Sequence, residues 1–255
     1  MRFASLGSGS RGNALVVDAG ETRVMVDCGF STRSVVERLS RLGLEPACLD
    51  ALLITHEHSD HVSGAARFSA RYGVPVVLTH GTFVGLGRMQ AQLKNYRLVD
   101  SHAAFSIGRL EVQPFPVPHD AREPVQYAFS DGSKRLGVLT DCGSITAHVA
   151  EVLRRCDALV IECNHDPSLL ASSAYPASLK QRITGNFGHL ANAQAATLLA
   201  QIQHDRLQHV IAAHLSEENN RPDLARAALA EALGCAHEWI GVASQDAGFD
   251  WRQLG

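Results

Sequence analysis

The chain has 255 residues, 45% of them hydrophobic, and a formal net charge of −3 at pH 7. That length and composition suit one large α/β domain with a substantial core and exclude a disordered chain. The charge excludes a wholesale polyanion binder, so a nucleic-acid substrate needs a local basic patch.

No apolar run approaches the roughly 20 residues of a membrane-spanning helix. The opening Met1-Arg2-Phe3-Ala4-Ser5-Leu6-Gly7 is too short an apolar stretch for a secretory signal. A cytoplasmic location is expected. The cysteines, at 28, 48, 142, 156, 163 and 235, are scattered without a C-x-x-C pair. They are read as buried free thiols.

In chain order, Phe3 to Leu6 and Ala14 to Val17 read as strands around the loop Gly7-Ser8-Gly9-Ser10-Arg11-Gly12-Asn13. Such a loop can aim several backbone N–H groups at one anion, or be a plain hairpin connection. It is not a P-loop, because the Lys-Ser/Thr ending and the following helix are absent. Thr22 to Val26 is a strand running into Asp27-Cys28-Gly29. Ser31 is the expected cap of a helix to about Leu42, with Val35, Val36 and Leu39 as its apolar stripe and Gly43 as its stop.

Ala51-Leu52-Leu53-Ile54 reads as a buried strand, followed by Thr55-His56-Glu57-His58-Ser59-Asp60-His61 and a helix start from Val62. Five of those seven residues bind metals or carry protons. His56 and His58 are two apart, so an extended backbone points both imidazoles the same way. Asp60 and His61 follow after the chain turns and can face a second point. Imidazoles with N/O partners suit Zn, Mn or Fe and not a hard-oxygen Ca site.

Val74 to Thr79 is a short strand, and His80 opens a short helix. His102 lies in a polar turn and is expected to be solvated. Val112 to Pro118 is an extended run whose prolines stiffen the approach to His119. Val125–Ser130 and Arg135–Thr140 form a hairpin around Asp131-Gly132. The second strand ends at Asp141, before a helix from Ile145 to Leu153. Ala158 to Ile161 is a buried strand leading to Glu162-Cys163-Asn164-His165-Asp166.

Ser168 to Gly188 reads as a looser segment, with Tyr175, Lys180 and Arg182 as candidates for a phosphate backbone and a solvated helix as the alternative. Gly188-His189-Leu190 opens an Ala/Leu-rich helix. His209 to Ala213 is a strand ending at His214, and Pro222 to Leu233 is a helix with Pro in its first turn. One or two short strands close the chain. No linker separates domains, so residues 1–255 are read as a single domain. A strand-then-ligand pattern recurs in both halves, which suits an internal structural duplication, though the sequence shows no clear repeat.

The Thr55–His61 stretch resembles the H-x-H-x-D-H signature of the metallo-β-lactamase superfamily. That resemblance implies an αββα sandwich of the α/β class. It further implies that His56, His58 and His119 hold one divalent ion, that Asp60, His61 and His214 hold another, and that Asp141 bridges them. Asp27 matches a residue that orients the metal loop. With two ions, a water is activated near neutral pH, and both attacking and leaving oxygens are stabilised.

Beyond the ligands, the sequence resembles the YycJ/WalJ (VicX) family of that superfamily. The matching segments are Leu6–Asn13, Pro118-His119-Asp120-Ala121, Glu162–Asp166, Tyr175-Pro176 with Leu179–Ile183, Gly188-His189-Leu190, and His214-Leu215-Ser216 with Asn219-Asn220. Ala191 departs from it, since the family usually has Ser there. The resemblance implies a bacterial cytoplasmic exonuclease acting on single-stranded or 5′-ended DNA. A wider similarity to ribonuclease Z implies that His189 protonates the leaving oxygen while Glu162 orients it, with Asp60 also in the catalytic set. Ser8, Ser10, Asn13, Lys180, Arg182, Asn219 and Asn220 are the expected substrate contacts. Two other readings stay open: a small-molecule hydrolase of thioesters, lactones or cyclic phosphates, and a non-catalytic metal-binding protein. The sequence leaves the oligomeric state open.

Overall fold

A computed structural model describes residues 1–255. Fourteen strands build two sheets. The first half contributes β1 (Arg2–Gly7), β2 (Ala14–Asp18), β3 (Arg23–Val26), β4 (Ala51–Leu53), β5 (Val76–Thr79) and β6 (Tyr96–Val99). The second contributes β7 (Phe105–Ile107), β8 (Leu110–Pro116), β9 (Val125–Ser130), β10 (Arg135–Leu139), β11 (Ala158–Glu162), β12 (His209–Ala213) and β13 (Gly241–Val242). The last strand, β14 (Phe249–Gln253), returns to pair with β1.

Strand alternation explains the layering. In β3, Val24 and Val26 face the other sheet, while Met25 faces the outer helices. In β10 and β11, Leu136, Val138, Ala158 and Val160 face inward, and Leu139, Leu159 and Ile161 face outward. Tyr127 and Phe129 of β9 fill the space between the sheets.

The outer surface of the first sheet is covered by α1 (Thr32–Arg41) and α3 (Ala65–Tyr72), through Val35, Leu39 and Phe68. The second sheet is covered by α5 (Ala147–Leu153), α8 (Asn192–Ile202) and α9 (Pro222–Leu233), through Val149, Leu198 and Leu229. The result is the expected four-layer αββα sandwich. Shorter helices α2 (Ser59–Val62), α4 (His80–Gly85), α6 (Pro167–Ser172) and α7 (Ala177–Thr184) lie in the connections.

The sheets repeat one plan. From β14 to β6, and again from β7 to β13, three antiparallel pairings precede three parallel ones. The fourth strand of each sheet, β3 and β10, runs into an Asp-Cys-Gly turn, at Asp27 and at Asp141.

Most expected elements are present, with ends shifted by a residue or two. Ser31 caps α1 by accepting from Ser34 N, as expected. The segment from Ser168 to Gly188 corrects the looser reading, because it holds most of α6 and all of α7. Its signals were local: Asp166 caps α6 by accepting from Ser168 N and Leu169 N, with Pro167 in the first turn. No helix is long and apolar enough to cross a membrane.

Candidate metal centre

The candidate residues converge at the C-terminal ends of strands from both sheets. Asp27 follows β3, the Thr55–His61 turn follows β4, His119 follows β8, Asp141 follows β10 and His214 follows β12. Glu162 is the last residue of β11. Three of these residues bend the backbone into the left-handed region, Asp27 at φ 61°, Asp141 at φ 53° and His214 at φ 53°. They are the only non-glycine residues that do so. Such conformations cost about 1–3 kcal/mol each and persist where the surroundings over-determine them. Each turns a strand sharply, so that its side chain points across the sheet ends.

Two groups of donor atoms result. His56 Nε2 lies 3.0 Å from His58 Nδ1, which lies 3.3 Å from His119 Nε2. Beside this triangle, Asp60 Oδ2 lies 3.3 Å from His61 Nε2 and 3.5 Å from His214 Nε2. Asp141 sits between the groups, 3.2 Å from His61 Nε2 through one oxygen and 3.8 Å from His119 Nε2 through the other. In each group, the ligand atoms lie within 4.8 Å of one another. The structure therefore brings the seven expected ligands together; the groupings His56–His58–His119 and Asp60–His61–His214 match the expected sets, and two others join His56, His61 and Asp141, and Asp141, Glu162, His189 and His214.

The opposite nitrogen of every ring is occupied. His61 Nδ1 donates to Asp27 Oδ2 at 2.8 Å, His119 Nδ1 to the Gly188 carbonyl at 3.0 Å, and His214 Nδ1 to Glu162 Oε1 at 3.1 Å. His56 Nδ1 meets Thr55 Oγ1 at 3.0 Å, and His58 Nε2 meets the Asp120 carbonyl at 3.2 Å. Thr55 Oγ1 is itself a donor to Asp27, so it accepts from His56. Partners on the outward nitrogens favour hydrogens there, so that each inward nitrogen would be free to present a lone pair to a metal once any second proton is lost.

The residues pass a further test of fit. Asp141 Oδ2 and His214 Nε2 are buried without a hydrogen-bond partner. Unsatisfied buried polar atoms are costly, and here both face the common centre. This is the donor set of a divalent-metal site.

Charge in the metal-free site is sharply divided. Burial pushes Asp141 up, but His214 and His61 prevail and hold it well below the usual carboxylate range. Burial pushes His214 down, but Asp141, Asp60 and Glu162 together raise it to about 10. His61 is raised well above its ordinary value, burial being outweighed by Asp141, Asp27 and Asp60. His56 is held well below its ordinary value by burial and by the His61 charge.

His189 lies outside both ligand sets but against them. Its Nδ1 donates to Glu162 Oε1 at 2.8 Å and lies 3.5 Å from Asp141 Oδ1. Burial lowers its affinity for a proton, while Glu162 and Asp141 outweigh that and raise it. The other Glu162 oxygen accepts from Cys142 N and Leu190 N. The expected His189–Glu162 pairing is therefore present.

The expected substrate contacts divide. Ser10 and Arg182 line a 180 Å³ cleft beside His189, together with Tyr175 and Ser216. Arg182 Nε also pairs with Asp120 at 2.6 Å. Lys180 is a correction, because its ammonium is spent on the Ala171 and Ser173 carbonyls at the end of α6. Ser8 and Asn220 are corrections too: Ser8 Oγ accepts from His214 N, and Asn220 bonds to Asn192 and the Cys163 carbonyl. Asn219 is buried beside Ser216.

The Gly/Ser loop does not cradle an anion. Its N–H groups at Ser8, Gly9, Arg11, Gly12 and Asn13 are taken by Ser244, Asn13, Gln245, Gly9 and Asp60. Asn13 instead sits under the second group, with Nδ2 3.2 Å from His61 Nε2 and 3.4 Å from Asp60 Oδ2.

Thr55, Asp120 and Gly29 touch the candidate ligands, and sequence reasoning did not single them out. Gly29 has a steric cause, since a Cβ there would lie 1.8 Å from the Asp60 carbonyl. The repeated Asp-Cys-Gly was the available signal for it. Nothing local marked Thr55 or Asp120 apart from their adjacency to His56 and His119.

A family model described as a β-lactamase superfamily domain matches residues 22–214. The chain is 34% identical to exodeoxyribonuclease YycJ of Bacillus anthracis over 91% of its own length and 89% of that protein's. It is 32% identical to exodeoxyribonuclease WalJ of Streptococcus pneumoniae over 94% and 91% of the two chains. Among solved structures, the metallo-β-lactamase fold protein YhfI from Bacillus subtilis superposes with a TM-score of 0.75. That match covers 98% of both chains at 16% identity, a likeness of fold.

Proposed function

The chain belongs to the metallo-β-lactamase superfamily, in the family of the exodeoxyribonucleases YycJ and WalJ, and on that premise we propose that it is a dinuclear metal-dependent phosphodiesterase degrading DNA from a 5′ end. The observation that carries the reading is the pairing of two complete ligand sets with a separate, carboxylate-oriented histidine at hydrogen-bond range. A hydrolase of activated acyl groups needs the first feature. An alkoxide leaving group also needs the second, a placed proton. The two relatives, each matching over nine-tenths of this chain or more, support the nuclease reading over small-molecule hydrolysis.

We assign His56, His58 and His119 to one ion, Asp60, His61 and His214 to the other, and Asp141 to both. Zn and Mn each suit this donor set, as does Fe. When bound, the ions supply an activated water and neutralise charge on the phosphate. The protein's own residues do the rest. Asp27, Thr55, Gly188 and Glu162 hold the ligand rings in their working tautomers. His189, oriented through Nδ1, offers Nε2 as the proton donor to the leaving oxygen. Asp60, anchored by Asn13, His61 and His214, positions the attacking side. Arg182 and Ser10, at the cleft, meet the phosphate backbone. Residues 1–255 act as one domain, since both sheets supply ligands to both ions.

The test is to incubate the purified, Mn-loaded protein with a 5′-labelled single-stranded oligodeoxynucleotide and, in parallel, with a thioester. Release of short labelled products at the 5′ end is expected. Thioester turnover with intact DNA would overturn the proposal.

A further inference from the structure

We infer that Phe187 is a stacking platform for a base of the single-stranded substrate, an inference that rests on the nuclease reading above. Phe187 is 62% exposed, the most exposed large apolar side chain of the protein, where the others reach 38–42%. A single exposed ring is unremarkable on a loose surface loop. This ring is carried by a clamped one.

The Phe187 carbonyl accepts from Asp120 N at 3.0 Å, and the neighbouring Asn186 carbonyl accepts from Ser144 Oγ at 3.1 Å. The next carbonyl, Gly188, holds the ligand His119. Gly143, in the Asp141 turn, packs so closely beneath that a Cβ there would lie 2.4 Å from the Asn186 carbonyl and from Gly188 N. The loop backbone is therefore held against the turns that carry His119 and Asp141, two residues from His189.

A rigid backbone that turns an apolar ring to water forgoes the burial that ring would otherwise contribute. The arrangement makes sense if the ring is covered by substrate. Every base has a π-face, so an aromatic platform grips single strands without reading sequence, and truncating such a platform weakens binding severalfold to a hundredfold. The chain's net charge of −3 makes such a non-ionic grip useful.

The experiment compares Mn-loaded wild type, Phe187→Ala and Phe187→Trp. Each is given a single-stranded oligodeoxynucleotide and an oligomer of equal length that is abasic throughout, with KM, kcat and binding by fluorescence anisotropy as readouts. Phe187→Ala should raise KM and Kd for the base-bearing strand about tenfold, with kcat within twofold. Phe187→Trp should stay near wild type. On the abasic strand, wild type and Phe187→Ala should be equal. An unaltered Phe187→Ala variant, or the same loss on the abasic strand, overturns this inference alone. A wild type that neither cleaves nor binds the base-bearing strand overturns the nuclease reading and this inference with it.

Discussion

His189 and His214 are tied to the same atom: Glu162 Oε1 accepts from His189 Nδ1 at 2.8 Å and from His214 Nδ1 at 3.1 Å. One ring is assigned to the leaving oxygen and the other to a metal. A single carboxylate thus sets the angle between proton donor and ligand. Its second oxygen is pinned by Cys142 N and Leu190 N, so it cannot swing away.

Removing the proton donor alone should leave the ligands untouched. His189→Ala should retain both ions by metal analysis, while kcat for DNA falls about 10²–10⁴-fold. A variant with wild-type kcat would take His189 out of the mechanism.

Disturbing the shared anchor should do more. Glu162→Gln removes the charge and leaves one oxygen to serve four donors. Affinity for the ion held by Asp60, His61 and His214 should drop about 10–100-fold, and kcat should fall as well. Competition against a chelating dye measures the first and steady-state assays the second. A loss of kcat with unaltered metal affinity would show that Glu162 serves His189 only.

Protons should compete with metal. In the metal-free protein, His214 titrates near 10 and His61 well above its ordinary 6.5, because Asp141 and the neighbouring carboxylates outweigh burial. A raised folded-state value contributes stability below the unfolded value and loses it as pH rises through the folded one. Metal-free protein should therefore melt progressively lower between about pH 6.5 and 10, and the metal-loaded form should not follow it. At pH 7, calorimetric titration with Mn or Zn in buffers of different ionisation heat should show at least one proton released per chain. Uptake without proton release would contradict the protonated histidines.

Lys180 and Arg182 should behave differently despite sharing a helix. Lys180→Ala removes two charge-assisted bonds to carbonyls, so the thermal midpoint should fall, by an amount equivalent to roughly 1–2 kcal/mol, while KM for DNA stays within twofold. Arg182→Ala should raise KM. The reverse pattern would restore Lys180 as a substrate contact.

Ala191 is the N-cap of α8, with φ −71° and ψ 157° but no side-chain acceptor to offer. At that end Gln194 Oε1 accepts from Ala191 N and the His165 carbonyl from Asn192 N. Ala191→Ser should stabilise the protein by about 1 kcal/mol, read as a higher midpoint in thermal denaturation with kcat unchanged. A lower midpoint would mean that the buried site has no room for the hydroxyl.

The ligands were legible because their chemistry is dense and local. Four ligand-type residues within six positions, after a buried strand, fit a metal-binding turn and little else. The strands were legible for a related reason, since runs such as Ala158–Ile161 are apolar on both faces. Partnerships set by distant residues were not legible. Nothing in the loop announces that Asn13 will take the Gly9 N–H and Gln245 the Arg11 N–H, so the choice between an anion cradle and a plain hairpin connection stayed open. Nothing near Lys180 shows that the end of α6 will claim its ammonium. The left-handed turns at Asp27, Asp141 and His214 were equally hidden, because that conformation is read from glycine and none stands there.

The ligands are dealt from two hands. His56, His58, Asp60 and His61 rise from one sheet, and His119, Asp141 and His214 from the other. Ions seated among them rivet the two slabs of the sandwich together at one rim. Prying the slabs apart and emptying the catalyst are then the same event. An ion at a thousandfold excess over its dissociation constant adds about 4 kcal/mol against unfolding. On this reading, metal starvation would idle the protein and loosen it at once.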